Sequence, residues 1–537
     1  MISPELARDL ARLSFECGRR LGLLIGRDGT VEMVLVGGPR SLFIPDLPKS
    51  RGGRWRLRGL RLVHTHLQAE GLSQDDLMDL VFLRLDCVAG IRVDPNGGAT
   101  LLDVAHILPG AGHDRGWEVL PPLWCYDPDL DFQELVKSLE DELDRNRLAI
   151  PATTRQDRAI LVSVTEKDRE TARRSMEELV ELARTSGIVV ADTIVQRLRS
   201  INPKYLIGKG KLSEIVLRAL QCGVDLLIFD RELNPSQVRS LTDTTELRVI
   251  DRTQLILDIF AQRAQSREGK IQVETAQLKY LLPRLGVKDD ALSRLTGGIG
   301  ARGPGETTLE INRRRVKDRI AHLDDQLRGV RRNRDQRRAR RLRKDIPTVS
   351  IVGYTNAGKS TLLNTLTHSG VFVEDKLFAT LDPTSRRLRF PRDFEVIVTD
   401  TVGFIRDLPQ DLLDAFAATL EELDDADLLL HVVDIGNPHF EEQMEAVDRI
   451  LGKLDLQAKP TILVFNKIDR VDPEWARGKV RRHGGVAISA LSTDTVDPLI
   501  AAMQDQVEAL MEEGFYAAAR QPEPEIADEP DESAWEL

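Results

Sequence analysis

The sequence has little that could staple it or anchor it. Only four cysteines, Cys17, Cys87, Cys125 and Cys222, are scattered over 537 residues, and none forms a C-x-x-C pair. That argues against a disulfide framework and fits reduced packing residues in a cytoplasmic protein. No run approaches the ~18 apolar residues needed to span a bilayer, so no membrane span is expected. The first residues, Met1-Ile2-Ser3-Pro4-Glu5, lack a basic stretch followed by an apolar core, and no secretory signal is read there. A surplus of positive charge is also missing. The net charge of −11 argues against nucleic acid for the chain as a whole, although its distribution argues the other way. A hydrophobic content of 41% with 30% charged residues is that of an ordinary soluble protein, expected here as a monomer.

At 537 residues the chain needs about three or four domains. Its organising stretch is Gly353-Tyr354-Thr355-Asn356-Ala357-Gly358-Lys359-Ser360, which fits G-x-x-x-x-G-K-[ST]. Residues 348–352 before it are mostly β-branched and read as a buried strand, and residues 361–366 after it open like a helix. Strand, glycine loop and helix together bring backbone N–H groups and a helix N-terminus onto phosphate. Lys359 is expected to reach the outer phosphates and Ser360 to ligate Mg²⁺.

The motifs that follow choose the base. A β-rich run at 394–399 ends in Asp400-Thr401-Val402-Gly403. The Asp suits the Mg²⁺ water shell, and the Gly N–H suits a γ-phosphate. Phe378-Ala379-Thr380-Leu381-Asp382 lies at switch-loop distance, with Thr380 as a second Mg²⁺ ligand. Lys359, Thr380 and Gly403 are thus the expected catalytic groups. A strand at 461–465 leads into Asn466-Lys467-Ile468-Asp469. A carboxylate there can accept from guanine N1–H and the 2-amino group. Adenine has no donor at either position, and a site built on such bonds rejects it by ~10⁴ or more. Ser489-Ala490-Leu491 follows a short strand, and its backbone suits the guanine O6. Five such motifs in order read as a GTP site. Where Ras-like enzymes carry a water-orienting Gln, this chain has Phe404, so slow intrinsic hydrolysis completed by a partner is expected. Asn356 is similar to the asparagine of GTPases that take K⁺ beside the phosphates, and it fits a simple loop cap equally well.

The remaining chain divides by composition and rhythm. Residues 1–127 read as an α/β extension in which a strand ends at His64-Thr65-His66, with Ser73 and Asp76 on a following helix start. Two His at i and i+2 point the same way off a strand, and the Asp could complete a zinc site. This resembles the His-x-His…Ser-x-x-Asp pattern of JAB/MPN-type metalloproteases, with Glu32 as the acid/base. The spacer is one residue short and Leu67 replaces the usual Pro. His side chains hydrogen-bonded at a strand end fit as well, and a zinc peptidase regulated by the GTPase is a third functional hypothesis. Residues 128–158 read as a helical linker, and 159–252 as an alternating strand–helix domain containing Lys209-Gly210-Lys211. Those lysines suit phosphate, and also suit a solvated turn. In 253–345, Leu257, Phe260, Ala264, Ile271, Leu278, Leu281 and Leu285 fall on one seam, and Leu309, Val316, Ile320, Leu323, Leu327 and Val330 on another. Together they predict a long antiparallel coiled-coil hairpin. Its tip, 296–306, is glycine-rich around Arg302, which favours close approach to RNA. The basic run 328–344, with Arg331, Arg332, Arg337 and Arg338, predicts a polyphosphate partner. A P-loop domain at 346–515 and an acidic, disordered tail at 516–537 complete the α/β multidomain reading.

The order of these segments, with Gly-Gly-Ile-Gly-Ala-Arg-Gly-Pro-Gly-Glu at 297–306, Gly-Tyr-Thr-Asn-Ala-Gly-Lys-Ser-Thr at 353–361 and Phe-Ala-Thr-Leu-Asp at 378–382, resembles the HflX family of translation-factor-related GTPases over about residues 159–515. The resemblance implies GTP-dependent binding to the 50S subunit and its rRNA, with the glycine tip near the peptidyl-transferase centre. It further implies splitting of stalled or stress-arrested ribosomes, with hydrolysis for release. The leader of roughly 150 residues is longer than in the best-known members, and the end is short. The alternative from another class is a GTP-switched RNA or assembly clamp with little turnover.

Overall fold

The protein, a computed structural model, is described over residues 1–45, 47, 56–68, 70–109, 116–126, 130–148, 156–166, 168–199, 202–285, 308–342, 346–367, 377–378, 384–390, 395–406, 412 and 423–512. The chain divides into two units, Met1–Leu255 and Ile256–Leu537.

The first unit opens with α1 (Pro4–Cys17), β1 (Leu21–Gly26), β2 (Val31–Val36), β3 (Leu60–His66), α2 (Gln74–Phe82), β4 (Cys87–Val93), β5 (Ala99–Ile107), β6 (Trp117–Val119), β7 (Leu123–Trp124) and α3 (Phe132–Leu148). The sheet runs β2-β1-β3-β4-β5-β6, with β7 on β5, and only β3 and β4 are parallel. Period-two alternation assigns its faces. Val63 packs with Ala7, Leu10 and Ala11 of α1, while Leu62 packs with Leu77, Leu80 and Val81 of α2.

A second sheet follows in the same unit, from β8 (Arg158–Thr165), α4 (Arg169–Thr185), β9 (Val189–Arg197), α5 (Lys209–Cys222), β10 (Leu226–Phe229), α6 (Pro235–Thr245) and β11 (Arg248–Asp251). Its strands are all parallel, ordered β11-β10-β8-β9. Val216, Leu217 and Leu220 of α5 share a core with α2 and with Leu139 and Leu143 of α3. The segment expected as a linker therefore carries a packed helix.

Helix α7 (Arg252–Arg263) straddles the division, and the second unit continues with α8 (Arg267–Leu281) and α9 (Thr308–Leu342). The single first rod expected over 253–285 is broken. Ser266 ends the heptad run because its hydroxyl accepts the Gly269 N–H and caps α8. Arg319 pairs with Glu274 and Lys279 with Asp324. Both pairs span 45 residues, so they advance in the same sense along α8 and α9, unlike the ladder of an antiparallel hairpin. The tip, with Arg302, lies outside the described residues, as does the tail. Helix α9 carries Arg331, Arg332, Arg337 and Arg338 on its backbone.

The rest of the second unit is built from β12 (Thr348–Gly353), α10 (Lys359–Thr367), β13 (Thr384–Arg389), β14 (Glu395–Asp400), β15 (Leu428–Asp434), α11 (Phe440–Lys453), β16 (Thr461–Asn466), α12 (Pro473–His483), β17 (Val486–Ala487) and α13 (Asp497–Glu512). Their order is β13-β14-β12-β15-β16-β17, parallel apart from β13. Every residue of β12 is buried, as a parallel strand covered on both faces requires. After β12 the chain builds one side of the sheet, then crosses to β15 on the other. The carboxyl end of β12 is thus a topological switch point, where open α/β sheets bind ligands.

Candidate nucleotide site

The loop from Gly353 to Ser360 leaves β12 at that switch point and enters α10. Close approach dictates its glycines. A Cβ on Gly358, at φ +95°, would lie 2.2 Å from Asn466 Nδ2. Outside the loop but against it, a Cβ on Gly403 would lie 2.8 Å from Thr355 Cγ2 and 3.0 Å from Lys359 Nζ. Asn356 takes a left-handed φ of +61° at the turn. Lys359 is buried, and its Nζ donates to the carbonyls of Tyr354 (2.9 Å) and Gly353 (3.3 Å). Burial pushes its pKa down to about 8, against the attraction of Asp400. The Ser360 hydroxyl donates to Asp400 Oδ2 at 2.6 Å. A hydroxyl and a buried carboxylate at this separation fit a Mg²⁺ ion bound by Ser360 with Asp400 behind its waters.

The strand ends brace one another. Asn466 Nδ2 donates to Ala357 O at 2.8 Å, while its Oδ1 accepts from Ala490 N–H at 2.9 Å. Lys467 Nζ reaches both Asn356 O and Asp434 Oδ2 at 2.8 Å. Asp469 is exposed, and its Oδ1 accepts from the Ser489 hydroxyl at 2.6 Å. Ser489 N–H is spent on Thr495 Oγ1, and Leu491 stands out at 79% exposure. Of the three residues expected to meet O6, two thus use their amides to hold the loop. Ile468 N–H donates to Ile488 O, closing this end of the site.

The third motif is stitched to the loop. Thr401 Oγ1 donates to Ile351 O at 2.6 Å, and Val402 is buried. Phe404 N–H donates to Gly353 O, and Phe404 O accepts from Thr355 N–H. Its ring is buried. Tyr354 hydroxyl accepts from Arg406 N–H.

Some expected residues fall elsewhere. Phe378 is buried edge-on against Phe260 of α7, with ring centroids 4.7 Å apart. Ala379, Thr380, Leu381 and Asp382 lie outside the described residues. Lys209 and Lys211 open α5, and Lys211 pairs with Glu214 at 2.8 Å, which partly neutralises it. His64, His66 and Asp76 are brought together in the first unit. Asp434, the partner of Lys467, escaped the sequence reading. The signal was available, since a carboxylate ending the buried strand β15 faces the switch point.

His431 lies on β15 in register with Val352, and burial pushes its pKa down to about 4. The unfolded chain takes up that proton near pH 6.5 and the folded one does not, so stability is present above 6.5 and is lost as pH falls toward 4. Amide exchange in β12 and β15 should accelerate across that window in the wild type. His431→Leu should flatten the response, and an unchanged pH response in the variant would remove His431 as its source.

Residues 173–261 match a family described as "GTP-binding GTPase N-terminal", 263–341 "GTP-binding GTPase Middle Region", and 348–467 "50S ribosome-binding GTPase". The chain is 50% identical to GTPase HflX of Caldanaerobacter subterraneus subsp. tengcongensis over 319 residues, 59% of this chain and 74% of the relative. It is 43% identical to GTPase HflX of Escherichia coli K12 over 357 residues, 65% and 83%. A GDP-bound GTP-binding protein from Sulfolobus solfataricus aligns at 25% identity and TM-score 0.37, over 65% of this chain and all of that one.

Proposed function

The chain belongs to the HflX GTPase family, and from that premise we propose that it binds the large ribosomal subunit in its GTP state and splits stalled ribosomes. Hydrolysis of GTP to GDP and phosphate then releases it. The carrying observation is the packing of Phe378 against Phe260. Phe378 opens the switch segment expected to sense the third phosphate, and Phe260 belongs to the helices that lead into the arginine-rich α9. A change at the phosphates would therefore move a ring on which α7 rests.

In this reading Ser360 and Thr380 hold Mg²⁺, which neutralises phosphate charge when bound. Lys359 and the Gly403 amide address the outer phosphates, and Asp469 selects guanine. Asn356 would place K⁺ beside the phosphates, which faster turnover in K⁺ than in Na⁺ would support. Arg302, Arg331, Arg332, Arg337 and Arg338, with Lys209 and Lys211, supply rRNA contact whose strength falls with salt. The cytoplasm is the matching compartment. Among the described residues, no helix is long and apolar enough to cross a membrane.

The buried Phe404 favours a second reading, a GTP-switched clamp with little turnover. Sedimentation with 50S subunits under GTP, GDP and a non-hydrolysable analogue, together with turnover with and without subunits, separates the two. Retention with the analogue but not GDP, and 50S-stimulated turnover, are expected. Equal retention in all three states would end the proposal, and retention without stimulation would leave the clamp.

A further inference from the structure

In β3, alternation sends Thr65 toward α1, where its hydroxyl lies 2.7 Å from Ser14 Oγ, and sends His64 and His66 to the opposite face, toward α2. Asp76 sits in the first turn of α2. His64 Nε2 is 3.5 Å from Asp76 Oδ1, and His66 Nε2 is 3.4 Å from Asp76 Oδ2. All three side chains are buried, and one ligand atom from each falls within a 4.8 Å cluster. Among the described residues, none of the four ring nitrogens makes a well-formed hydrogen bond, and the two Nε2 atoms face only the Asp76 carboxylate. Each buried orphan costs ~1–3 kcal/mol, so packing alone gives no reason to gather four.

The surroundings fit an ion. Three atoms bound tetrahedrally at ~2.0–2.1 Å stand about 3.3 Å apart. The two His–Asp separations are close to that, and the whole cluster, within 4.8 Å, would tighten by about an ångström around an ion. Gly90 of β4 is in register with His64, and a Cβ there would lie 3.0 Å from His66 Cδ2 and 3.2 Å from its Nε2. A side chain at this position would press on the imidazole, which glycine leaves in place. Ser73 donates its N–H and its hydroxyl to Asp76 Oδ2, both at 2.7 Å, and fixes the carboxylate. The Ser-x-x-Asp spacing is thus a helix capping box and an orienting shell at once.

We propose that His64, His66 and Asp76 bind a divalent transition-metal ion, zinc by its donor chemistry, that clamps the end of β3 to the start of α2. Two imidazoles and one carboxylate suit zinc and disfavour magnesium or calcium, which seek oxygen. The ion is a clamp and not a hydrolytic centre, because the expected acid/base is elsewhere. Glu32 is exposed on β2. Across β1, Gly22 pairs with both His64 and Leu35, so Glu32 lies three residues further along, about 10 Å, and two strand spacings of about 4.8 Å away.

Full-length protein, incubated with Zn²⁺ and dialysed, should retain about one ion per chain. His66→Ala and Asp76→Asn should lose it while keeping wild-type GDP affinity. Zn²⁺ should raise, and a chelator lower, the unfolding midpoint of the wild type but not of the variants. Should the variants not fold, Co²⁺ titration of the wild type decides: intense visible d–d bands displaced by Zn²⁺ support the site, and their absence overturns it. Zinc retained by both variants also overturns it, and zinc-dependent peptide cleavage would overturn the clamp role.

Discussion

Asp469→Asn is expected to weaken GTP binding by roughly 10²–10⁴-fold and to create affinity for XTP. Charge-assisted hydrogen bonds contribute ~1.5–3 kcal/mol each, and guanine offers two donors to this carboxylate. An amide can accept only one of them and turns its NH₂ against the other. Xanthine carries a carbonyl where guanine has the 2-amino group, so the same NH₂ finds a partner. The neighbourhood favours that orientation, because the Ser489 hydroxyl donates to Asp469 Oδ1 and would hold the amide oxygen there. Nδ2 then takes the outer position. Ser489→Ala should cost only about 1 kcal/mol and leave the guanine preference intact. Displacement of a fluorescent GDP by GTP and XTP measures both. Unchanged GTP affinity in Asp469→Asn would remove this carboxylate as the base-selecting group.

The candidate nucleotide site was legible as a set of neighbouring residues because the chemistry it suggests is local. Each motif is one turn at the end of one strand, where a phosphate, a metal or a base edge would dictate the residue type. Long-range placement was less legible. Asn466 reads as a base-proximal residue in sequence, but its amide braces Ala357 and Ala490, which are 109 and 24 residues away. Helix α3 was recognisable from its apolar spacing, yet its partners on α5 were not, and it passed for a linker. The seam from Leu257 to Leu285 keeps its heptad period through the break at 264–266. Periodicity scores apolar spacing and is blind to a serine whose hydroxyl caps a new helix. His64, His66 and Asp76 were identifiable as a set. Two strand-borne rings share a face by alternation, but only the fold shows that Gly90 makes room for the His66 ring.

Phe404→Gln restores the residue type that Ras-like enzymes use, and it should nevertheless slow the protein down. The position differs from an exposed switch residue in three respects. The ring is buried at 2% exposure, its N–H donates to Gly353 O, and its carbonyl accepts from Thr355 N–H. The backbone is thereby fixed to the phosphate loop on both sides, and the side chain is shut away from water. Glutamine there loses the buried ring and brings an amide without a partner. Loss of ring burial costs ~2–3 kcal/mol and an unpaired amide ~1–3, so roughly 3–6 kcal/mol is the expected destabilisation. Phe404→Leu, which keeps the packing apolar, should cost about 1–2 kcal/mol. Loosening the loop should lower nucleotide affinity in the glutamine variant, with no gain in intrinsic turnover. Chemical unfolding and single-turnover hydrolysis without ribosomes provide the two readouts. A stable Phe404→Gln protein that hydrolyses GTP faster than wild type would mean that this side chain reaches the attacking water, and that the missing group need not come from a partner.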